Sequence, residues 1–224
     1  RAQLFVDGER QRDSTDLPLA GTRLWSHPEG ASAAGMIAQG LMGYAYTCPD
    51  MIGGGEYSYF YDDPDKPLDQ ELIVRSAQCS ALMPMMQFSV APWRVLSQEN
   101  MKICRDMARL HEKMGPEILA MAKASAQSGE PIVRHLEYMY PHQGYARIKD
   151  QFMLGEDLVV APVLENVEQR VVRLPAGSWA DLWDGRVHGG PVRLERVVAP
   201  AARAPAYVAV SPKSGVLAGI VPAV

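Results

Sequence analysis

The sequence predicts an α/β portion of alternating strands and helices, followed by an all-β portion built as an antiparallel β-sandwich. Three observations carry this. An apolar run, Leu41 to Tyr46, leads into Cys48-Pro49-Asp50 and the triplet Gly53-Gly54-Gly55, as a buried strand does when it ends in a permissive loop. Segments of helical period, Ala31 to Gly40, Leu68 to about Leu82 and Ser97 to Ser128, alternate with short apolar stretches up to Gly129. Beyond Gly129 the period changes to short strand-like runs separated by turn signals, which is how a sandwich reads.

With 224 residues, 47% of them hydrophobic, the chain can bury a large core and has an ordinary globular composition. A net charge of -4 selects no partner class, and no basic stripe interleaved with aromatics argues for nucleic acid. No apolar run reaches the ~20 residues a membrane span needs. The opening RAQLFVDGERQRDSTD lacks the pattern of a signal peptide, and its missing initiator methionine suggests an excised or incomplete piece. Cys48, Cys79 and Cys104 are odd in number and widely spaced, giving neither a zinc signature nor a disulfide framework. They read as buried thiols. No metal or cofactor is implied, and the compartment is left open.

Gln3 to Val6, ended by Asp7-Gly8, is consistent with one barrel strand, and Glu9 to Gly21 reads as a long loop. Ala31 to Gly40 is a helix whose apolar side includes Met36, Ile37 and Leu41. Asp50 then stands where a strand meets its loop. In a barrel of parallel strands, side chains just past the strand ends converge on one face, which makes Asp50 the first site candidate. Asp before a glycine-rich turn also serves as a turn former that bonds its own backbone, and both readings stand. The glycine triplet has the spacing of neither a dinucleotide fingerprint nor a P-loop. Glu56 to Pro67, EYSYFYDDPDKP, reads as a surface loop whose tyrosines and carboxylates could alternatively line a binding cleft, offering flat apolar faces and hydrogen bonds.

Leu68 to about Leu82 places Leu72, Ile73, Ser76, Cys79 and Ser80 on one helical side. Met83 to Arg94 holds only a short strand before Pro92 closes it, with Met85, Met86 and Phe88 read as core. Trp93-Arg94 pairs a flat apolar ring with a fork of hydrogen-bond donors, as suits the rim of a binding pocket. Ser97 is an N-cap, and Gly115-Pro116 divides the helical stretch after it in two, Ser97 to Met114 and Pro116 to Ser128, stopped at Gly129. The methionine stripe of these helices and His111 read as packing.

Ile132 to Tyr140 leads out of the first domain, and the boundary falls near Pro141, giving domains 1–140 and 141–224. Strands are expected at Gln151 to Leu154, Leu158 to Leu164 and Arg170 to Leu174. A Pro175-Ala176-Gly177 turn, a strand from Trp179 to Trp183 and an Asp184-Gly185 hairpin come next. The Ala-, Val- and Pro-rich tail, Ala199 to Val224, reads as a frayed or altered end.

The run GLMGYAYTCPDMIGGGEY, followed in order by MPMMQFSVAPWR, GEPIVRHLEYMYP and DQFMLGEDLVVAPVLE with RLPAGSW, resembles the C-terminal half of glycoside hydrolase family 31. The resemblance covers roughly Trp25 to Trp183, and the PDMIGG form is similar to the branch of bacterial α-galactosidase-like enzymes and their animal relatives. It implies the C-terminal part of a (β/α)8 TIM barrel followed by a β-sandwich. It also implies an enzyme that hydrolyses terminal α-linked sugars, α-galactosides or α-glucosides, with retention, which needs a nucleophile and an acid/base roughly 5 Å apart.

By that resemblance Asp50 contacts the sugar, and Trp25 is the aromatic residue of the acid/base loop. The aspartate expected in that loop is absent; Pro28 or Glu29 stands in its neighbourhood, so Glu29 is the candidate acid. His27 beside it reads as a surface residue. Gln87 and Ser89 stand where the family carries basic and histidine side chains, so Gln87 joins Trp93 and Arg94 as pocket-shaping candidates. The family's nucleophile lies on an earlier strand, so this chain is expected to lack it. The alternative from another class is a non-catalytic carbohydrate-binding remnant, completed by self-association or by another chain that supplies a missing N-terminal segment.

Overall fold

In a computed structural model, residues 28–47, 51–53, 68–164, 167–200, 203–212 and 215–220 are described. The expected first helix is present as α1, Pro28–Leu41, with Met36 and Ile37 buried. The expected buried strand after it is corrected. Leu41 is the last helical residue and is 56% exposed, and Met42, Tyr44 and Tyr46 are exposed as well. Met42, Gly43 and Tyr44 donate their N–H groups back to carbonyls of α1, so this backbone closes a helix terminus instead of a strand ladder. Gly43 makes the turn at φ +91. Among the described residues, this stretch makes one long-range backbone bond, from the Ile132 N–H to the Ala45 carbonyl at 3.2 Å, and its first strand-type bridge is at Ile52, parallel with Phe88.

The second helix, α2, spans Gln70–Ala81, and Asp69 caps it by accepting from the Leu72 N–H at 3.1 Å. The one-sided pattern expected for it is too narrow, because every residue from Leu72 to Ala81 is buried. That includes Arg75, whose guanidinium donates to the Ala199 and Pro200 carbonyls at 2.9 and 3.1 Å and to Gln78 at 3.3 Å. Desolvation lowers the Arg75 pKa, and Glu71, 3.4 Å away, opposes the shift. A short helix, α3, covers Pro92–Val95, with its proline in the first turn where no N–H is needed.

One helix replaces the expected pair. α4 runs Gln98–Ser128 straight through Gly115-Pro116, capped by Ser97 and ended by Gly129 at φ +77. An internal proline costs ~3 kcal/mol by removing one helical bond. Here Met107, Leu110 and Met114 before it and Ser125 after it are buried as α4 packs on α2, and tertiary packing outweighs the local break. His111 joins that packing, its Nδ1 3.1 Å from the Ala81 carbonyl.

Among the described residues, the rest of the chain supplies six strands: β1 Val133–Arg134, β2 Phe152–Leu154, β3 Leu158–Val160, β4 Gln169–Asp181, β5 Val187–Val198 and β6 Ala206–Ala209. A short helix, α5, Leu136–Met139, lies between β1 and β2, and α6, Gly215–Ala218, comes after β6. All six strands pair antiparallel in one sheet of order β1-β2-β3-β6-β4-β5. The Asp184-Gly185 hairpin is present, with Gly185 at φ +75 and its N–H on the Asp181 carbonyl. Pro175-Ala176-Gly177 is corrected from a turn to an irregularity inside β4, where the register shifts between Leu174 and Gly177. The tail is corrected as well. β6 lies in the middle of the sheet, between β3 and β4, and Ala206, Tyr207 and Val208 are buried.

Both sheet faces carry core. Alternation sends Phe152, Leu154, Leu158, Val160 and Val208 to the core shared with the helices. Met153, Val159 and Tyr207 go to a second cluster with Leu136, Tyr145, Val172 and Trp179. Cys79 and Cys104 are buried thiols, as their surroundings predict, and Cys48 lies outside the described residues. Burial pushes the Cys104 thiol up to about 11 from an ordinary 9.0. The folded state therefore holds this proton more tightly than the unfolded chain does. The resulting stabilisation is complete below pH 9 and is lost as pH rises to 11. Stability measured in urea across that window is expected to fall less steeply in Cys104→Ala than in the parent chain.

Candidate functional site

The chain leaving α2 passes through buried Leu82 and Met83 into an extended segment around Phe88. The Ile52 N–H donates to the Gln87 carbonyl at 2.8 Å, and the Ser89 N–H donates to the Ile52 carbonyl at 3.0 Å, which makes the pairing parallel. Strand alternation then separates two sides. Ile52 is buried, and Met86 and Phe88 pack on the helical core. Met51, Met85, Gln87 and Ser89 are exposed. Reading Met85 as core is thus corrected, since its neighbours in sequence take the packed side and leave it 40% exposed.

Two further predicted residues extend this open region in sequence. Trp93 on α3 is 74% exposed, an unusual position for an indole, and Arg94 beside it is exposed too. Glu29 belongs to the first turn of α1, not to a loop, because Pro28 starts the helix; its side chain is not among those described. Trp25, His27 and Asp50 lie outside the described residues, as does the tyrosine-rich loop from Glu56 to Pro67. The structure therefore describes three of the six candidates in full: Gln87, Trp93 and Arg94. Met51 and Met85 are exposed residues that the sequence did not single out for the site, whereas Ser89 was named beside Gln87. Their signal was period-2 alternation through an apolar stretch, which burial alone disguises as core.

Gln87 offers an amide donor and acceptor, Ser89 a hydroxyl, Arg94 a fork of donors and Trp93 a flat apolar face. Such groups can hydrogen-bond and stack on a polyhydroxylated ring. None of them is a carboxyl group, and no cluster of metal-ligating side chains occurs among the described residues.

Elsewhere, a groove of about 660 Å3 runs between the second half of α4 and the β1–β2 side of the sheet, floored by Met121, Ile132, Leu154 and Leu217. None of the predicted site residues lines it. Near its edge the Tyr138 hydroxyl donates to Glu130 at 2.6 Å, a bond that raises the phenol's pKa. No described helix is long and apolar enough to cross a membrane.

Residues 129–210 match the model of the glycosyl hydrolase family 31 C-terminal domain. The chain is 39% identical over 150 residues to the myogenesis-regulating glycosidase of Mus musculus, covering 64% of this chain and 21% of that protein. It is 31% identical over 185 residues to the SITS-binding protein of Tetronarce californica, covering 78% of this chain and 25% of that protein. The chain therefore spans about a quarter of the length of these relatives. Among solved structures, a family 31 α-xylosidase from a soil metagenome, complexed with xylose, superposes with a TM-score of 0.70 at 26% identity, covering 82% of this chain and 30% of that one. A family 31 sulfoquinovosidase from E. rectale shares the fold, with a TM-score of 0.75 at 22% identity, covering 89% of this chain and 30% of that one.

Proposed function

Because the chain belongs to glycoside hydrolase family 31, we propose that residues 1–140 are the C-terminal portion of a (β/α)8 barrel and residues 141–224 a β-sandwich domain. In its complete form the protein hydrolyses terminal α-linked sugars, α-galactosides or α-glucosides, with retention of configuration. The observation that carries this reading is the parallel Ile52–Phe88 bridge, packed on helices on one side and open on the other. Parallel pairing between helix-backed segments is the unit from which such barrels are built, and their open ends hold the active site.

In this reading Asp50 and Trp25 hold the sugar, and Gln87, Trp93 and Arg94 shape the pocket around it. Neutral Gln87 offers a sugar's hydroxyls a paired donor and acceptor. Glu29 is the proposed proton donor. The similarity to a protein named a glycosidase supports the reaction class, and the α-galactoside preference rests on the PDMIGG motif.

A second reading is favoured by one observation: among the described residues, those exposed around the bridge include no pair of carboxyl groups. Under it the chain binds sugar without turnover, alone or completed by a second copy or another chain. Hydrolysis of 4-nitrophenyl α-galactoside and α-glucoside by the purified chain, with Asp50→Asn and Glu29→Gln as controls, decides between them. Turnover lost in either variant assigns catalysis to this chain's own carboxylates. Saturable binding of galactose or glucose without turnover supports the binding reading, and neither turnover nor binding overturns both for the chain alone. Wherever binding is measurable, Trp93→Ala is expected to weaken it by about 1 kcal/mol, roughly fivefold in Kd.

A further inference from the structure

Arg75 is a buried cation that none of the proposed roles uses. Its side chain is 3% exposed, and its only charged partner within 4 Å among the described residues, Glu71, is itself 47% exposed. The shortest directed contacts of the guanidinium are the consecutive carbonyls of Ala199 and Pro200, at 2.9 and 3.1 Å. Those carbonyls leave the end of β5, where the Ala199 N–H closes the hairpin on the Glu168 carbonyl at 2.8 Å. Arg75 therefore ties the base of the β4–β5 hairpin to α2. Six residues after Arg75 α2 ends, and its last turn passes through Leu82 and Met83, both hydrogen-bonded back to it, into the segment that pairs with Ile52.

We propose that Arg75 is a positioning residue: its clamp on the two carbonyls sets where α2 stands on the sheet, and thereby where α2 delivers Gln87 and Ser89. The physical case rests on direction. The apolar contacts of Leu72, Ile73, Val74 and Ala77 hold α2 against the core without fixing its placement along its axis, since burial is proportional to area and indifferent to angle. Charge-assisted bonds from one planar fork to two adjacent carbonyls have one good geometry, and a shift of the helix by a fraction of a turn breaks both. Naming the delivered face a sugar-binding face rests on the function proposed above; the clamp itself does not.

The test is amide hydrogen exchange on the full chain and on Arg75→Met, Arg75→Lys and Glu71→Gln. The Ile52 and Ser89 amides report the bridge, and the amides of β2 and β3 report the sheet at large. Arg75→Met is expected to speed exchange at Ile52 and Ser89 by about tenfold more than at β2 and β3, the signature of local opening. Arg75→Lys, whose ammonium cannot span both carbonyls, gives the same pattern at smaller size and carries the test if the methionine variant does not fold. Glu71→Gln, which leaves the carbonyl clamp intact, is expected to change the ratio by less than about twofold. Equal acceleration at all these amides, or none, overturns the proposal. If the bridge loosens selectively but no chain binds sugar, the functional reading fails and the clamp stands.

Discussion

Replacing Phe152 with alanine is expected to remove about 3–5 kcal/mol of folding stability, the range for deleting a buried ring. Phe152 is 0% exposed. It starts β2, pairs with Val160 across to β3, and faces the cluster in which the helices meet the sheet, together with Leu154, Leu158 and Val208. The site is enclosed by strands on one side and by packed helices on the other, so neither element can collapse into the space the ring leaves. Urea denaturation followed by far-ultraviolet circular dichroism gives the difference directly, provided the slope is unchanged. Glu195→Ala on the exposed side of β5 is the control, expected to stay within about 0.5 kcal/mol. A Phe152→Ala cost as small as the control's would mean that helices and sheet do not share one core.

Gly190→Ala is expected to be the next most damaging change. Its added Cβ would collide with the Pro175 carbonyl oxygen and come within 2.8 Å of the carbonyl carbon. Those atoms are backbone, on the strand that pairs across the hairpin, where Gly190 faces Gly177. A flexible side chain could swing aside; two hydrogen-bonded strands cannot separate without losing their ladder. The expected cost is at least the ~1–3 kcal/mol of ordinary overpacking. The neighbouring Gly189 provides an internal comparison, because a Cβ there meets nothing within 4 Å. Gly189→Ala is expected to change stability by no more than about 0.5 kcal/mol. Thermal unfolding of the two variants side by side checks the pair, and equal midpoints would contradict the close approach of β4 and β5.

One physical division separates the features that were legible in the sequence from those that were not. Caps and stops were legible because they act over three or four residues: Ser97 and Gly129 bound α4 where the chemistry of their side chains says they should. The Asp184-Gly185 turn was legible for the same reason. Pro116 misled because its local preference for a helix start is worth less than the packing of α4 on α2, a contact between segments about thirty residues apart. The apolar run Leu41 to Tyr46 misled because hydrophobicity marks what can be buried, whereas burial in a strand also needs a neighbouring strand to take its backbone bonds. Around Phe88 the same alternation that sends Met86 inward leaves Met85 and Gln87 exposed, and only the Ile52 bridge shows which side is which.

By itself, the sequence determined the family, through motifs in a fixed order, and the two ends of α4, through Ser97 and Gly129, which satisfy their own neighbours. The candidate set Trp25, Glu29, Asp50, Gln87, Trp93 and Arg94 also came from the sequence, as a proposal that the structure describes in part. Only the tertiary structure decided that an Ala- and Val-rich tail supplies β6 at the centre of the sheet, that a proline-bearing segment is one continuous helix, and that Arg75 is spent on two distant carbonyls. Each of these joins residues far apart in the chain. A strand gains its ladder, a helix its packed face and a buried cation its acceptors only after the fold has brought the other side into place, and no local pattern records which other side that will be.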